Sequence, residues 1–335
     1  MHQRAATATW TGSGGASWDD TIREAAPPPG VPSVPSLPRA PTVKAPGLQL
    51  GSYRLLGLLG EGGMARVYLA EHTLIGKRVA IKRLLPHLAP YRDARELFLR
   101  EARIAGAVRH PNVIDVYDFG NDDDGLPFYV MELASGEPLA SRLARAPLLV
   151  SQALDVGIAL ADAVKAVHGA GFLHRDIKSE NVLLTRHRRR LVPKLIDFGI
   201  ARPLAEAPEG EPAGMVGTPR TMAPEQIAQE AVDERTDIWA LGVMLYEMIT
   251  ADLPFRKGDC VQEDLMTILT ESPQPLPGTV DPAIRSVVAS CLRKDPAERP
   301  PNCGALAERL RLARGEYLSR HGMIERGPDD DDEYD

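Results

Sequence analysis

The chain has 335 residues, room for one large domain or two small ones. Its net charge of −7 argues against general nucleic-acid binding, which favours basic chains. The three cysteines, Cys260, Cys291 and Cys303, lack metal-site spacing; so sparse and odd a set fits reduced thiols rather than a disulfide framework.

Residues 1–50 read as a disordered tether, because Pro27-Pro28-Pro29-Gly30 and the spaced prolines up to Pro46 neither pack a core nor form a helix. Within it, Thr21 beside Asp19, Asp20 and Glu24 is open to two readings: a solvated segment, or a phosphorylated site for a phosphothreonine-reading partner. The start, Met1-His2-Gln3-Arg4, lacks the apolar core of a signal peptide, and no stretch approaches a membrane span of roughly 18 apolar residues. A cytoplasmic protein is the expectation.

Structured sequence is expected from about Tyr53. Leu59-Gly60-Glu61-Gly62-Gly63-Met64-Ala65-Arg66-Val67 predicts strand, turn, strand. Gly60 and Gly62 would permit unusual dihedrals or a close approach that side chains block. Alone, the cluster fits a plain hairpin as well as a phosphate-covering loop. Val79-Ala80-Ile81-Lys82 alternates like a strand and sets Lys82 among apolar residues, where an unpaired charge is costly. Glu101 is the candidate partner, on a helical pattern with Leu97, Ile104 and Val108 apolar; its other reading is a solvated helix charge, like Glu96. Two short strands are predicted around Val113–Phe119 and Phe128–Leu133, joined by the polar turn Asn121–Gly125.

The run His174-Arg175-Asp176-Ile177-Lys178-Ser179-Glu180-Asn181, followed by Asp197-Phe198-Gly199, carries the most chemistry. Asp176 can accept the proton of an attacking hydroxyl, and Lys178 can steady a transferring phosphate. Asn181 and Asp197 are hard oxygen ligands suited to Mg²⁺. Arg186-His187-Arg188-Arg189-Arg190 falls in the turn between Leu183–Thr185 and Leu191–Leu195. It reads either as solvated charge or as a dock for an acidic partner, such as the chain's own Asp329–Asp332, Glu333 and Asp335. Farther on come Gly217-Thr218-Pro219, Ala223-Pro224-Glu225, Asp237-Ile238-Trp239-Ala240-Leu241-Gly242 and Asp295-Pro296-Ala297-Glu298-Arg299-Pro300.

This series of motifs, in this order over about Tyr53–Leu318, resembles the protein kinases. The Gly62-Gly63-Met64 run is most similar to bacterial eukaryotic-like serine/threonine kinases. The resemblance implies an α+β, bilobal protein-kinase fold. A small β-rich N-lobe with one key helix would span 53–131, a hinge 132–134 and a mainly helical C-lobe 135–318, leaving an acidic tail at 319–335. It implies Mg- and ATP-dependent transfer of phosphate to Ser/Thr hydroxyls of proteins, autophosphorylation included. Lys82, fixed by Glu101, would hold the α- and β-phosphates beneath Gly60, Glu61, Gly62 and Gly63. Adenine would bond the Glu132 carbonyl and the Ala134 amide, with Met131 behind it and Leu59, Val67, Ala80 and Leu183 around the ring. Asp176 and Lys178 would be catalytic, and Asn181 and Asp197 would hold Mg²⁺. Glu225 would pair with Arg299, and Asp237 would hold the catalytic-loop backbone. Thr218 would serve the substrate site by bonding Asp176 and Lys178.

The chain also departs from the family. Ala65 stands at the third glycine. Ser179 stands where Pro is usual, which should loosen the backbone slightly, and Thr221 where an aromatic is usual. Ile200 to Val216 holds no Ser, Thr or Tyr. Either Glu206, Glu209 or Glu211 pairs permanently with Arg175 in place of a phosphate, or all three are solvated. The alternative to an active kinase is a pseudokinase or nucleotide-binding scaffold; a small-molecule kinase is a further rival, disfavoured by Gly217–Glu225. Small-lobe dimerisation occurs among relatives, and nothing in this sequence decides it.

Overall fold

The computed structural model describes residues 48–187, 190–198, 202–203 and 219–321. Thr21, Arg188, Arg189, Glu206, Glu209, Glu211, Thr218 and residues 322–335 of the acidic tail therefore lie outside the described residues. The chain divides into two compact units, one of Val116–Ser135 and the chain up to Ala102, the other of Arg103–Asp115 and the chain from Gly136 onward.

The first unit is a six-stranded antiparallel sheet. Its strands are β1 (Gln49–Leu50), β2 (Tyr53–Glu61), β3 (Ala65–His72), β4 (Arg78–Leu84), β5 (Val116–Asn121) and β6 (Pro127–Met131), in the order β1-β2-β3-β4-β6-β5. Alternation gives the sheet two distinct faces. One face packs Leu50, Leu55, Tyr68, Ala70, Val79, Ile81, Phe128 and Val130 into a core. Opposed pairs Val67↔Lys82, Lys82↔Tyr129 and Ala80↔Met131 share the other. Helix α1 (Arg92–Ala107) begins in this unit, where its Phe98 ring lies 5.3 Å from that of Tyr129.

The second unit is largely helical: α2 (Leu139–Leu143), α3 (Val150–Gly169), α4 (Pro224–Ile227), α5 (Glu234–Thr250), α6 (Val261–Thr270), α7 (Pro282–Cys291) and α8 (Cys303–His321). Helix α5 is buried on nearly every side, as its continuous apolar sequence requires. Two glycines permit this packing: a Cβ on Gly157 of α3 would meet Leu245 at 2.5 Å, and one on Gly242 of α5 would meet Cys291 at 2.5 Å. Short strands β7 (Glu137–Pro138), β9 (Val182–His187) and β10 (Arg190–Leu195) form a small sheet, and β8 (Phe172–Leu173) pairs with β11 (Arg202–Pro203).

Three expected boundaries move. Order begins before Tyr53, because Gln49–Leu50 pair with β2 and Leu50 is only 1% exposed. Strand β5 starts at Val116 rather than Val113, since residues 112–114 are drawn to β10 instead: Ile114 N–H donates to the Leu195 carbonyl and Leu195 N–H to that of Asn112. The last helix passes Leu318 to His321, held by an Arg320–Asp281 ion pair at 2.6 Å and by His321 stacking on Tyr317. Among the described residues no helix is long and apolar enough to cross a membrane.

Candidate active site

In the first unit, the face of the sheet opposite the core gathers the expected nucleotide residues. Lys82 Nζ lies 2.5 Å from Glu101 Oε1, so Glu101 is an ion-pair partner and not a solvated charge. The Tyr129 hydroxyl donates to the same oxygen at 2.7 Å. Glu101 is 1% exposed, a burial that a carboxylate tolerates only with such partners. Ala80 and Met131 are directly opposed and buried, and Val67 stands across from Lys82. Glu132 and Ala134 follow β6 in irregular backbone, partly exposed. Leu183 lies in β9, in the second unit.

The glycine loop departs from expectation in its backbone. Neither Gly60 nor Gly62 has a positive φ, so unusual dihedrals do not explain them. A Cβ built on Gly60 meets nothing within 4 Å, and one on Gly62 meets only the Ala65 carbonyl at 3.8 Å. The unit's own packing thus leaves room for a side chain at both positions, and the strand pairing is irregular between Leu58 and Gly60. Leu59 is exposed, as is Glu61, which pairs with Arg66 at 2.8 Å. Gly63 is exposed beside them.

In the second unit the catalytic run forms a tightly bonded loop. Asp176 Oδ2 accepts from Lys178 Nζ at 2.8 Å and from Asn181 Nδ2 at 3.1 Å. Asn181 Nδ2 also donates to the Asp176 carbonyl at 2.9 Å, which leaves the amide oxygen turned to other uses. Ile196 N–H donates to the Asn181 carbonyl at 3.0 Å, which holds the residue preceding Asp197 against Asn181. Among the described residues no three His, Cys, Asp or Glu side chains cluster as a metal cage. Two hard oxygen ligands fit Mg²⁺, which is ordinarily held by one or two carboxylates together with substrate phosphates.

Asp237 bonds this loop from α5. Its Oδ2 accepts from His174 N–H at 2.9 Å and its Oδ1 from Arg175 N–H at 2.7 Å. Arg175 needs the support, having φ of 67° in the left-handed region that non-glycine residues avoid. Its carbonyl accepts from Gln226 Nε2 at 3.2 Å, and Gln226 Oε1 in turn accepts from Ala223 N–H. His168 of α3 completes the anchor, its Nε2 2.7 Å from Asp237 Oδ2. Burial pushes the His168 pKa down, but the hydrogen bond and charge of Asp237, helped by Glu234 and Asp233, outweigh it and raise it.

Glu225 and Arg299 meet in a bidentate pair with both contacts at 2.8 Å. Thr221 lies in the turn Pro219–Thr221, next to α4, and is partly exposed.

His168, Tyr129, Gln226 and Thr236, which donates to Glu225 at 2.7 Å, were not expected from the sequence. Each looks like ordinary core or helix sequence. Only Tyr129 carried a signal, since its position on an alternating strand puts it on the face of Lys82.

The protein kinase domain profile matches residues 53–310. Serine/threonine-protein kinase Pkn1 of Myxococcus xanthus is 37% identical over 83% of this chain and 41% of its own length. PknH of Mycobacterium tuberculosis is 36% identical over 82% of the chain and 43% of its own length. PksC of Streptomyces coelicolor is 36% identical over 78% of the chain and 49% of its own length. The chain thus spans less than half the length of each of these relatives.

Proposed function

The chain belongs to the protein kinase family, among the bacterial serine/threonine kinases, and from that premise we propose that it transfers the γ-phosphate of ATP to serine and threonine hydroxyls of proteins, itself included. The observation that carries the reading is the Asp176 carboxylate, gripped at one oxygen by both Lys178 and Asn181. That geometry aims a base and a cation at one point, which phosphoryl transfer needs and a scaffold does not.

Asp176 orients the substrate hydroxyl and takes its proton. Lys178 neutralises charge building on the moving phosphoryl group. Lys82, oriented by Glu101 and Tyr129, binds the α- and β-phosphates, while Gly60, Glu61, Gly62 and Gly63 cover them with backbone. Adenine bonds the backbone of Glu132 and Ala134, with Leu59, Val67, Ala80 and Met131 of the same unit as its apolar surround. Asn181 and Asp197 would hold a divalent ion, Mg²⁺ in this reading, which neutralises phosphate charge when bound. Asp237, Arg175 and the Glu225–Arg299 pair keep the loop in place, and Thr218 serves the substrate side. Positioning and electrostatics thus supply the rate.

The test is incubation with Mg·ATP, phosphosites being mapped by mass spectrometry beside Asp176→Asn. Phosphoserine or phosphothreonine in the wild type alone is the expected result. ATP binding without phosphate in either protein would overturn the reading in favour of a pseudokinase.

A further inference from the structure

Ser179 has a partner that none of these roles uses. Its hydroxyl donates to Glu247 Oε1 at 3.0 Å, with Glu180 Oε2 farther away at 3.5 Å. Ser179 is 3% exposed and opens the 3-10 turn Ser179–Asn181. That turn runs from the flank of Lys178 to Asn181, and Asn181 N–H closes it on the Lys178 carbonyl at 3.0 Å. Glu247 stands on α5, the helix that also carries Asp237. The two carboxylates are about 15 Å apart along the helix axis, at 1.5 Å per residue. One helix therefore grips the catalytic loop twice, by the backbone of His174 and Arg175 and by the side chain of Ser179.

We propose that Glu247 is a positioning residue for phosphoryl transfer, acting through the Ser179 hydroxyl to fix the turn that carries Lys178 and Asn181. The proposal rests on the kinase reading above. Serine at the first position of a short turn adds no backbone restraint of its own, whereas proline there fixes φ. The expected loosening at Ser179 is thus offset by a side-chain bond. A hydroxyl on a carboxylate makes a charge-assisted bond, roughly twice the strength of a neutral one.

The groups facing Glu247 give this bond a pH signature. Burial pushes its carboxyl up to about 7, with Glu180 of the turn adding to the rise and Ser179 and Arg220 opposing it. The charge that strengthens the bond is present above about pH 7 and lost below it. Stability runs the other way. The folded-state pKa is raised above the ordinary 4.5, so the native state holds the extra proton and loses stability as pH rises between the two values.

The test uses the full chain with casein as acceptor, measuring kcat and KM from pH 6 to 9, with amide exchange at Asn181 followed in parallel. Ser179→Ala should lower kcat roughly tenfold, the size of one charge-assisted hydrogen bond. KM for ATP should move less than kcat, since the proposed adenine contacts and Lys82 lie outside the turn. Asn181 should exchange faster in Ser179→Ala. Ser179→Pro should restore its protection and bring kcat back to within about threefold of the wild type, rigidity being regained by another route. Glu247→Gln keeps an acceptor but should lose the acid limb near pH 7. Unchanged kcat and Asn181 protection in Ser179→Ala, or a wild-type acid limb in Glu247→Gln, overturns the proposal. A wild type that transfers no phosphate at any pH defeats the kinase reading instead. Asn181 exchange then still decides whether Glu247 fixes the turn through Ser179.

Discussion

Two buried ion pairs, one in each unit, show how the same chemistry is built for different ends. Arg299 has a side chain 0% exposed, and all five of its N–H donors are used: two on Glu225, three on the carbonyls of Arg235, Arg293 and Lys294. Its guanidinium also lies 5.1 Å from the centre of the Trp239 ring. Lys82 keeps 15% of its side chain exposed although Glu101 is almost wholly buried. The first pair is closed on itself and can only hold the fold. The second fixes its anion with Tyr129 and leaves its cation partly exposed, which suits the nucleotide contact proposed for it.

Substitutions should separate the two designs. Arg299→Ala, which strands a buried Glu225, should cost about 3–5 kcal/mol in urea unfolding. A loss below about 1 kcal/mol would mean that the saturated pair is not structural. Lys82→Met should lower phosphate transfer at least ~100-fold, with a smaller shift in the unfolding midpoint than Arg299→Ala. If the midpoint shifts equally, the contrast fails. His168→Gln probes a third buried charge through pH. The His168 pKa is raised above 6.5 in the folded state, so its contribution is complete below that value and is lost as pH rises through the folded pKa. Unfolding measured from pH 6 to 9 should show this decline in the wild type and a flatter profile in the variant. Arg54→Ala breaks an exposed pair with Glu71, at 2.9 Å, and should change stability by less than about 1 kcal/mol. A larger effect would show that burial is not what divides these pairs.

Much of the candidate site was legible because each motif carries a demand that names its partner. A lysine on an apolar strand asks for an acid, and Glu101 on the next helix answers it. The order of Asp176, Lys178, Asn181 and Asp197 states its chemistry without a fold. What was missed has no such local demand. His168, Gln226 and Glu247 are single polar residues in helical sequence, and tertiary packing alone decides that each faces the catalytic loop. The glycines were half-read: neither Gly60 nor Gly62 has the unusual dihedrals the sequence suggested, and both have open space where a side chain would stand. Gly136 went unremarked, although a Cβ there would strike the Leu184 carbonyl at 2.4 Å. Strand ends moved where a competing partner, such as Leu195 for residues 112–114, outbid the sheet.

Glu225 and Arg299 are 74 residues apart in sequence, and that interval sets an order of events as the chain is made. Glu225 leaves the ribosome long before its cation. Until Arg299 follows, the carboxylate cannot be buried without a cost larger than its neighbours' packing would return. The junction of α4 and α5 should therefore stay open to water until Arg299, 74 residues later, has been made. A nascent chain halted before Asp295 should remain open to protease at α4, where the finished chain resists.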